Sequence, residues 1–188
     1  MKQIEKVSSY LLTILTILVI ILPLYIILQW LFIDTGTMKH LMAEGILMNP
    51  INAPEGIVNL STVNWTLFSK GAGFASHAIG SLPFFLSLFV LRSIFQNYQK
   101  GEIFNTINAT HYKKLGWLCF LDALIAQPLA DTLMILAVTF SNPPGHRYVA
   151  ISYGTPNLEA LFFGLILIVI SWVMLEGSKL HDDQKFTI

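Results

Sequence analysis

The chain has 188 residues, of which 54% are hydrophobic and only 12% charged, and its formal net charge is zero. Soluble domains carry about 25% charged residues, so this composition excludes an ordinary soluble domain and is typical of a membrane protein. A neutral chain also offers no basic surface for direct nucleic-acid binding. The single cysteine, Cys119, excludes an internal disulfide, and its place in an apolar run favours a small packing residue over a reactive thiol.

The apolar residues are concentrated in four long runs, which we predict to be transmembrane helices at 10–33, 72–95, 115–140 and 158–175. At 1.5 Å per residue, the first three reach about 36 Å or more and can cross about 30 Å of hydrocarbon. The first run is too long for the apolar region of a signal peptide and has no cleavage site after it, so we expect it to be retained. The predicted fold is an all-α, four-helix membrane bundle that forms a single membrane domain over residues 1–188.

The positions of lysine and arginine predict the orientation, because cytoplasmic loops carry an excess of both. Lys39, Lys70 and Arg147 fall on one side of the predicted membrane. The other side holds both termini and the middle connection, with Lys2, Lys6, Arg92, Lys100, Lys113, Lys114, Lys179 and Lys185. We therefore expect both termini to be cytoplasmic.

The two predicted outward loops contain strand-like segments. In the first loop we expect a short interfacial helix at Met38–Met48 and a strand at Ile57–Val63. The second loop has a similar alternating segment at Tyr148–Tyr153, so a short β pairing between the loops is expected. Thr155 followed by Pro156 resembles an N-cap with proline at the first helical position, which would begin the fourth helix.

The connection between the second and third helices carries signals for an ordered turn. Gly101 is expected to end the second helix, since glycine readily adopts the positive φ of a helix C-terminus. Asn105 or Thr106 is then expected to cap an amphipathic helix that runs through Ile107 and Tyr112 into the third transmembrane helix.

Two sequence motifs resemble those of a bacterial membrane-protein family known as domain of unknown function 2975. The first is Gly101–Asn108 followed by Leu115–Gly116, and the second is the tail Leu175–Leu180 followed by Asp183–Ile188. The resemblance implies a four-span protein of the bacterial inner membrane and a small helix-turn-helix regulator as a partner. The family has no established activity, so the resemblance assigns no catalytic residue.

Both motifs lie on the predicted cytoplasmic side, and two roles remain open for them. They could form a clasp that holds the two helical hairpins together, or a docking face for a partner. Phe104 is expected to pack beneath the bundle, and Asn108 to hydrogen-bond a neighbouring backbone. The candidate residues of this cytoplasmic motif are Gly101, Phe104, Asn108, Gly116, Glu176, Gly177, Asp183 and Gln184.

The third predicted helix contains a candidate intramembrane polar site formed by Asp122, Gln127 and Asp131, with His77 from the second helix. Charge within hydrocarbon is costly and is usually retained because it is paired or functional. Nine residues separate the aspartates, which places them about 180° apart on an ideal helix unless Pro128 kinks it. Each carboxylate could be hydrogen-bonded across the bundle or form a proton or cation relay, or Asp122 could lie near the headgroups. His77 is expected at a depth similar to that of Asp131, which makes a pair conceivable.

Small residues at Ala72, Ser76 and Gly80 recur every fourth position, a spacing that lets another helix approach closely. Prolines lie near the centres of three predicted spans, at Pro23, Pro83 and Pro128. Proline is common in membrane helices, but helices interrupted at mid-membrane also form ion sites in transporters. The prolines therefore favour a transporter only slightly.

The sequence has no catalytic motif and no metal-ligand spacing, so we expect no enzyme, no metal site and no cofactor. Two functions remain. The favoured one is a non-enzymatic binding or regulatory membrane protein with a cytoplasmic docking face. The alternative is a small transporter or ion-coupled permease that uses Asp122 and Asp131. Four helices enclose little volume, so a transporter would need to form a homo-oligomer in the bilayer.

Overall fold

The computed structural model describes residues 2–48, 50–53, 56–143, 147, 150 and 156–185. Four long helical stretches are the main elements. They are α1 (Lys2–Leu31), α3 (Leu67–Gln99), α4 (Thr106–Leu121) continued by a π-helical turn (Asp122–Ala126) into α5 (Gln127–Ser141), and α6 (Leu158–Lys185). Within the described ranges, these four are long and apolar enough to cross a membrane, which identifies a multi-pass membrane protein by length and composition.

The helices extend beyond the apolar runs that predicted them. α3 begins five residues before the predicted span at Leu67, and α6 continues ten residues past it to Lys185. Apolar runs define only the part of a helix suited to hydrocarbon, and polar residues continue the same hydrogen-bond ladder outside it.

By its internal contacts the chain divides into two compact units. The first unit contains Met1–Leu22, Leu82–Leu124 and Pro156–Ile188, and the second contains Pro23–Ser81 and Ile125–Thr155. Along the chain, the divisions fall at Pro23, immediately before Leu82–Pro83, and inside the π-helical turn. Each unit therefore has its own core.

The core of the first unit is the contact between α4 and α6. Gly116 and Gly164 face each other there, and a Cβ atom placed on Gly116 would lie 2.7 Å from the carbonyl oxygen of Gly164. One hydrogen bond also joins the two helices, because the buried Ser171 Oγ donates to the carbonyl oxygen of Ala109 at 2.7 Å. Small residues let the backbones approach, which is how membrane helices associate tightly.

The second unit is built around the start of α3. Trp30 of α1 packs against Gly73, where any Cβ would overlap the indole ring, and meets Trp65 edge-on at 5.3 Å between ring centroids. An ion pair between Lys70 and Asp34 joins the beginning of α3 to the chain that follows α1. The absence of a side chain at Gly73 is therefore what allows Trp30 to be buried between these elements.

The first loop contains a short helix, α2 (Gly36–Ala43), with Thr35 as its N-cap. It overlaps the predicted Met38–Met48 but begins two residues earlier and ends five residues earlier. The loop also contains an antiparallel hairpin of β1 (Ile51–Ala53) and β2 (Gly56–Val58), followed by a 3-10 turn at Leu60–Thr62. Ile57 and Val58 are thus in a strand as predicted, but the rest of the predicted strand is not, because Leu60–Thr62 form the 3-10 turn. The strand pairs within its own loop. The other predicted partner, Tyr148–Tyr153, lies outside the described residues apart from Ala150.

The start of α6 differs from the prediction. The helix begins at Leu158, so Pro156 is not its first residue, and Thr155 lies outside the described residues. Asn157 takes the capping position, since its Oδ1 accepts a hydrogen bond from the backbone N–H of Ala160 at 3.1 Å. Asparagine is among the strongest N-cap residues, which explains why it is preferred here over the earlier threonine.

The π-helical turn Asp122–Ala126 immediately precedes Gln127 and Pro128. Proline lacks a backbone N–H and its ring conflicts with the carbonyl four residues earlier, and a wider turn accommodates both effects. The angle of about 180° predicted between Asp122 and Asp131 assumed an uninterrupted α-helix. Because the π-helical turn begins at Asp122, that assumption does not hold and the predicted angle no longer applies.

Candidate functional site

The second unit contains a cavity of about 590 Å³, which we name the α3–α5 cleft. It is bounded by one face of α3, one face of α5 and part of the first loop. Its volume is within the range of small-molecule binding sites, which is about 300–1,000 Å³. The residues that line it are, from α3, Ser76, His77, Gly80 and Ser81; from α5, Gln127, Ala130, Asp131, Met134 and Ile135; and from the loop, Leu47, Met48, Pro50, Ile51 and Leu60.

Direct hydrogen bonds hold α3 and α5 together along the cleft. The buried Ser76 Oγ donates to the carbonyl oxygen of Ala130 at 2.6 Å. The amide Nε2 of Gln127 donates to the carbonyl oxygen of Gly80 at 3.2 Å. A Cβ on Gly80 would lie 3.1 Å from that of Ala130, so the backbones are close. Of the predicted small-residue stripe, Ser76 and Gly80 therefore contact α5, while Ala72 is half-buried one turn earlier.

Asp131 and His77 both line the cleft, so the structure brings together two residues that the sequence placed at similar depth. In the part of the chain that the structure describes, no hydrogen bond or ion pair involves the Asp131 carboxylate, and none joins it to His77. The imidazole instead meets Tyr25 edge-on, with 6.5 Å between ring centroids. Asp131 and His77 therefore do not form the pair that the sequence suggested, but they are two separate polar groups around one cavity.

Asp122 is placed differently. It is the half-buried first residue of the π-helical turn and is not among the residues that line the cleft. Gln127 does line the cleft, at the first position of α5. Of the two candidate carboxylates, only that of Asp131 reaches the cavity.

The sequence did not predict that the first loop forms a wall of the cleft. All five lining residues from the loop are apolar: Leu47, Met48, Pro50, Ile51 and Leu60. A hairpin signal was present, because Pro54-Glu55-Gly56 separates two short β-branched segments and turn residues of this kind favour a reversal. Nothing in that signal shows which helices the hairpin will contact.

The second candidate region lies in the first unit, around the turn between α3 and α4. Gly101 ends α3 with φ of 81°, and Asn105 caps α4 by accepting the backbone N–H of Asn108 at 2.6 Å. Asn108 is 0% exposed and its side chain makes three hydrogen bonds. Its Oδ1 accepts from Asn97 Nδ2 at 2.7 Å, while its Nδ2 donates to the carbonyl oxygens of Glu102 and Ile103.

The tail motif meets this turn at one point. A Cβ on Gly177 would lie 3.1 Å from the Phe104 ring, so the two predicted motifs are in contact. Phe104 nevertheless remains 52% exposed, and Glu176, also exposed, pairs with Lys179 at 2.9 Å. Asp183 and Gln184 belong to α6, but the structure describes only their backbone.

These contacts distribute the motif residues between two roles. Asn108, Gly116 and Gly177 pack internally, as a clasp requires, whereas Phe104 and Glu176 present surface that a partner could contact. Among the described residues, no three histidine, cysteine, aspartate or glutamate side chains are grouped to hold a metal ion.

Comparison with known proteins identifies a family. The model of the family described as "Protein of unknown function (DUF2975)" matches residues 48–188, which is most of the chain. The matched range includes the α3–α5 cleft apart from Leu47, and both sequence motifs. No curated protein and no solved structure matches the chain.

Proposed function

This chain belongs to that family of unknown function, and from its geometry we propose that it is a non-enzymatic membrane protein that binds a small ligand in the α3–α5 cleft. We place it in the bacterial inner membrane with both termini cytoplasmic, as the lysine and arginine positions favour. The bound state is read out on the cytoplasmic side by a partner. A small helix-turn-helix regulator, implied by the family resemblance, is the proposed partner.

The observation that carries the proposal is the presence of the Asp131 carboxylate, the His77 imidazole and the Gln127 amide around one 590 Å³ cavity. Ionisable groups in membrane helices usually mark a ligand or ion pathway. Small-molecule sites combine an apolar lining with a few convergent polar groups, and the loop side of the cleft supplies the apolar part.

Replacing Ser81 with phenylalanine tests the cleft as a binding site. The Ser81 hydroxyl donates only within its own helix, to the carbonyl oxygens of His77 and Ala78, so a larger side chain fills the cleft without breaking an α3–α5 bond. A ligand present at 100 times its dissociation constant stabilises a protein by about 2.7 kcal/mol. We expect a diverse panel of small molecules to include compounds that raise the unfolding temperature of the wild type but not of Ser81→Phe.

The matched control is Ser93→Phe, which lies on the same helix, also bonds its own backbone, and is away from the cleft. Ligands that stabilise the wild type should stabilise this control equally. The proposal is wrong if no compound stabilises the wild type, or if every stabilising compound acts equally on Ser81→Phe.

The docking face is proposed around the exposed Phe104 and Glu176. A photo-crosslinking residue at position 104 is expected to capture a specific cytoplasmic partner. Recovery of lipid alone would count against this part of the proposal.

A small oligomeric transporter is the second candidate, and the same cleft favours it, since a polar cavity reaching an intramembrane aspartate is what such a protein needs. Of the two aspartates in that proposal, only Asp131 is at the cavity. Uptake of a cleft ligand into proteoliposomes, dependent on Asp131, would favour the transporter. Binding without uptake would favour the binding protein.

A further inference from the structure

We propose that the ligand of the α3–α5 cleft is an organic cation, with its charged nitrogen beside Asp131 and its apolar body against the loop side of the cavity. This inference rests on the proposed function and deepens it by naming the chemical class of the ligand. Charge, hydrogen-bonding capacity and the apolar lining of the cleft each support it.

The charges around the cleft favour a cation. Asp131 is the carboxylate among the described lining residues, and none of those residues is a lysine or an arginine. Lys70, which precedes Ser76 by six residues on α3, is paired with Asp34. Asp131 is exposed at the cleft, within a helical stretch long and apolar enough to span a membrane. A carboxylate there is unfavourable without a positive partner, and a cationic ligand supplies one.

The serine hydroxyls leave acceptors, not donors, for a ligand. The hydrogen of Ser76 Oγ is directed at the carbonyl oxygen of Ala130, and that of Ser81 Oγ at carbonyl oxygens of its own helix. A hydroxyl has one donor hydrogen and two acceptor lone pairs, so what remains is acceptor capacity. An ammonium group, which only donates, suits these groups and the Asp131 carboxylate. An anion would find neutral donors in the His77 imidazole and the Gln127 amide but no lysine or arginine among the described lining residues, and it would be repelled by Asp131.

The rest of the lining indicates that the organic cation has a large apolar part. Leu47, Met48, Met134 and Ile135 provide an apolar wall, which suits a hydrocarbon body of several carbon atoms. Methionine adapts to irregular shapes, so the wall tolerates related ligands. A bare metal ion would leave this surface unused, and the described residues offer no group of three metal-binding side chains.

The experiment uses three compounds of similar shape and different charge: 4-phenylbutylamine, 4-phenylbutanol and 4-phenylbutyrate. Their binding to the full-length protein in nanodiscs is measured by calorimetry, with empty nanodiscs subtracted to remove partitioning into lipid. We expect the protonated amine to bind the wild type at least tenfold more tightly than the alcohol, and the carboxylate to bind most weakly. In Asp131→Asn the advantage of the amine over the alcohol should disappear.

Asp122→Asn is the matched control, because it makes the same chemical change in the same helical stretch away from the cleft lining. It should keep the preference of the wild type. The inference is overturned if the amine does not bind, if amine and alcohol bind equally, or if Asp131→Asn keeps the preference. If the alcohol or the carboxylate binds as tightly as the amine or more tightly, and Ser81→Phe abolishes that binding, the cleft remains a ligand site but its ligand is not a cation.

Discussion

Asn108→Ala is expected to lower the free energy of unfolding by about 3 kcal/mol, estimated from three lost side-chain hydrogen bonds at about 1 kcal/mol each. The side chain is fully buried and bonds Asn97, the Glu102 carbonyl and the Ile103 carbonyl. Alanine would remove all three bonds from a side-chain position that is fully buried, beside partner groups that are themselves only partly buried. Because these bonds hold the turn between α3 and α4, the loss should affect the whole first unit.

Unfolding of the purified protein in mixed micelles, followed by circular dichroism, measures this effect. Thr110→Ala is the control, since Thr110 is exposed on the same helix and its hydroxyl bonds only the carbonyl oxygen of Thr106. It should change the unfolding free energy by less than about 0.5 kcal/mol, as is usual at surface positions. Equal effects of the two substitutions would show that the Asn108 bonds do not stabilise the turn.

The long helices and the turn between α3 and α4 could be predicted from the sequence because their signals are local. An apolar run of membrane length is sufficient to indicate a transmembrane helix. Gly101 has the positive φ, and Asn105 the capping bond, that their residue types predicted. Placing both motifs on the same side of the membrane allowed them to meet, but it did not identify Phe104 and Gly177 as the residues in contact. Phe104 also remains more exposed than an anchor beneath the bundle would be.

The candidate site was less predictable because its geometry depends on contacts between distant residues. Ile57 was predicted to be in a strand, but its partner Asn52 was not identified, since β pairing is determined by turns and by packing on other elements. The π-helical turn at Asp122–Ala126 interrupts the regular period on which the angular argument relied. A sequence pattern predicted that Asp131 and His77 lie at similar depth, but not that a loop forms one wall of a cavity beside them.

Gly116→Ala is expected to destabilise the protein by about 1–3 kcal/mol, the usual effect of adding a methyl group where there is no space for it. The new Cβ would lie 2.7 Å from both the carbonyl oxygen of Gly164 and the Cγ1 atom of Ile168. A side chain such as Ile168 can adjust, but a backbone carbonyl of α6 moves only with its helix. The two helices would have to separate, which would also stretch the Ser171–Ala109 hydrogen bond.

Gly71→Ala is the matched comparison, and we expect it to stabilise the protein instead of destabilising it. Gly71 is also within a long helix, but a Cβ there would meet nothing within 4 Å. Alanine stabilises an exposed helical position relative to glycine by about 0.5–1 kcal/mol, because glycine loses more backbone entropy on folding. Unfolding measurements on both variants therefore separate helix propensity from packing. Stabilisation by Gly116→Ala would show that α4 and α6 do not depend on close glycine contact.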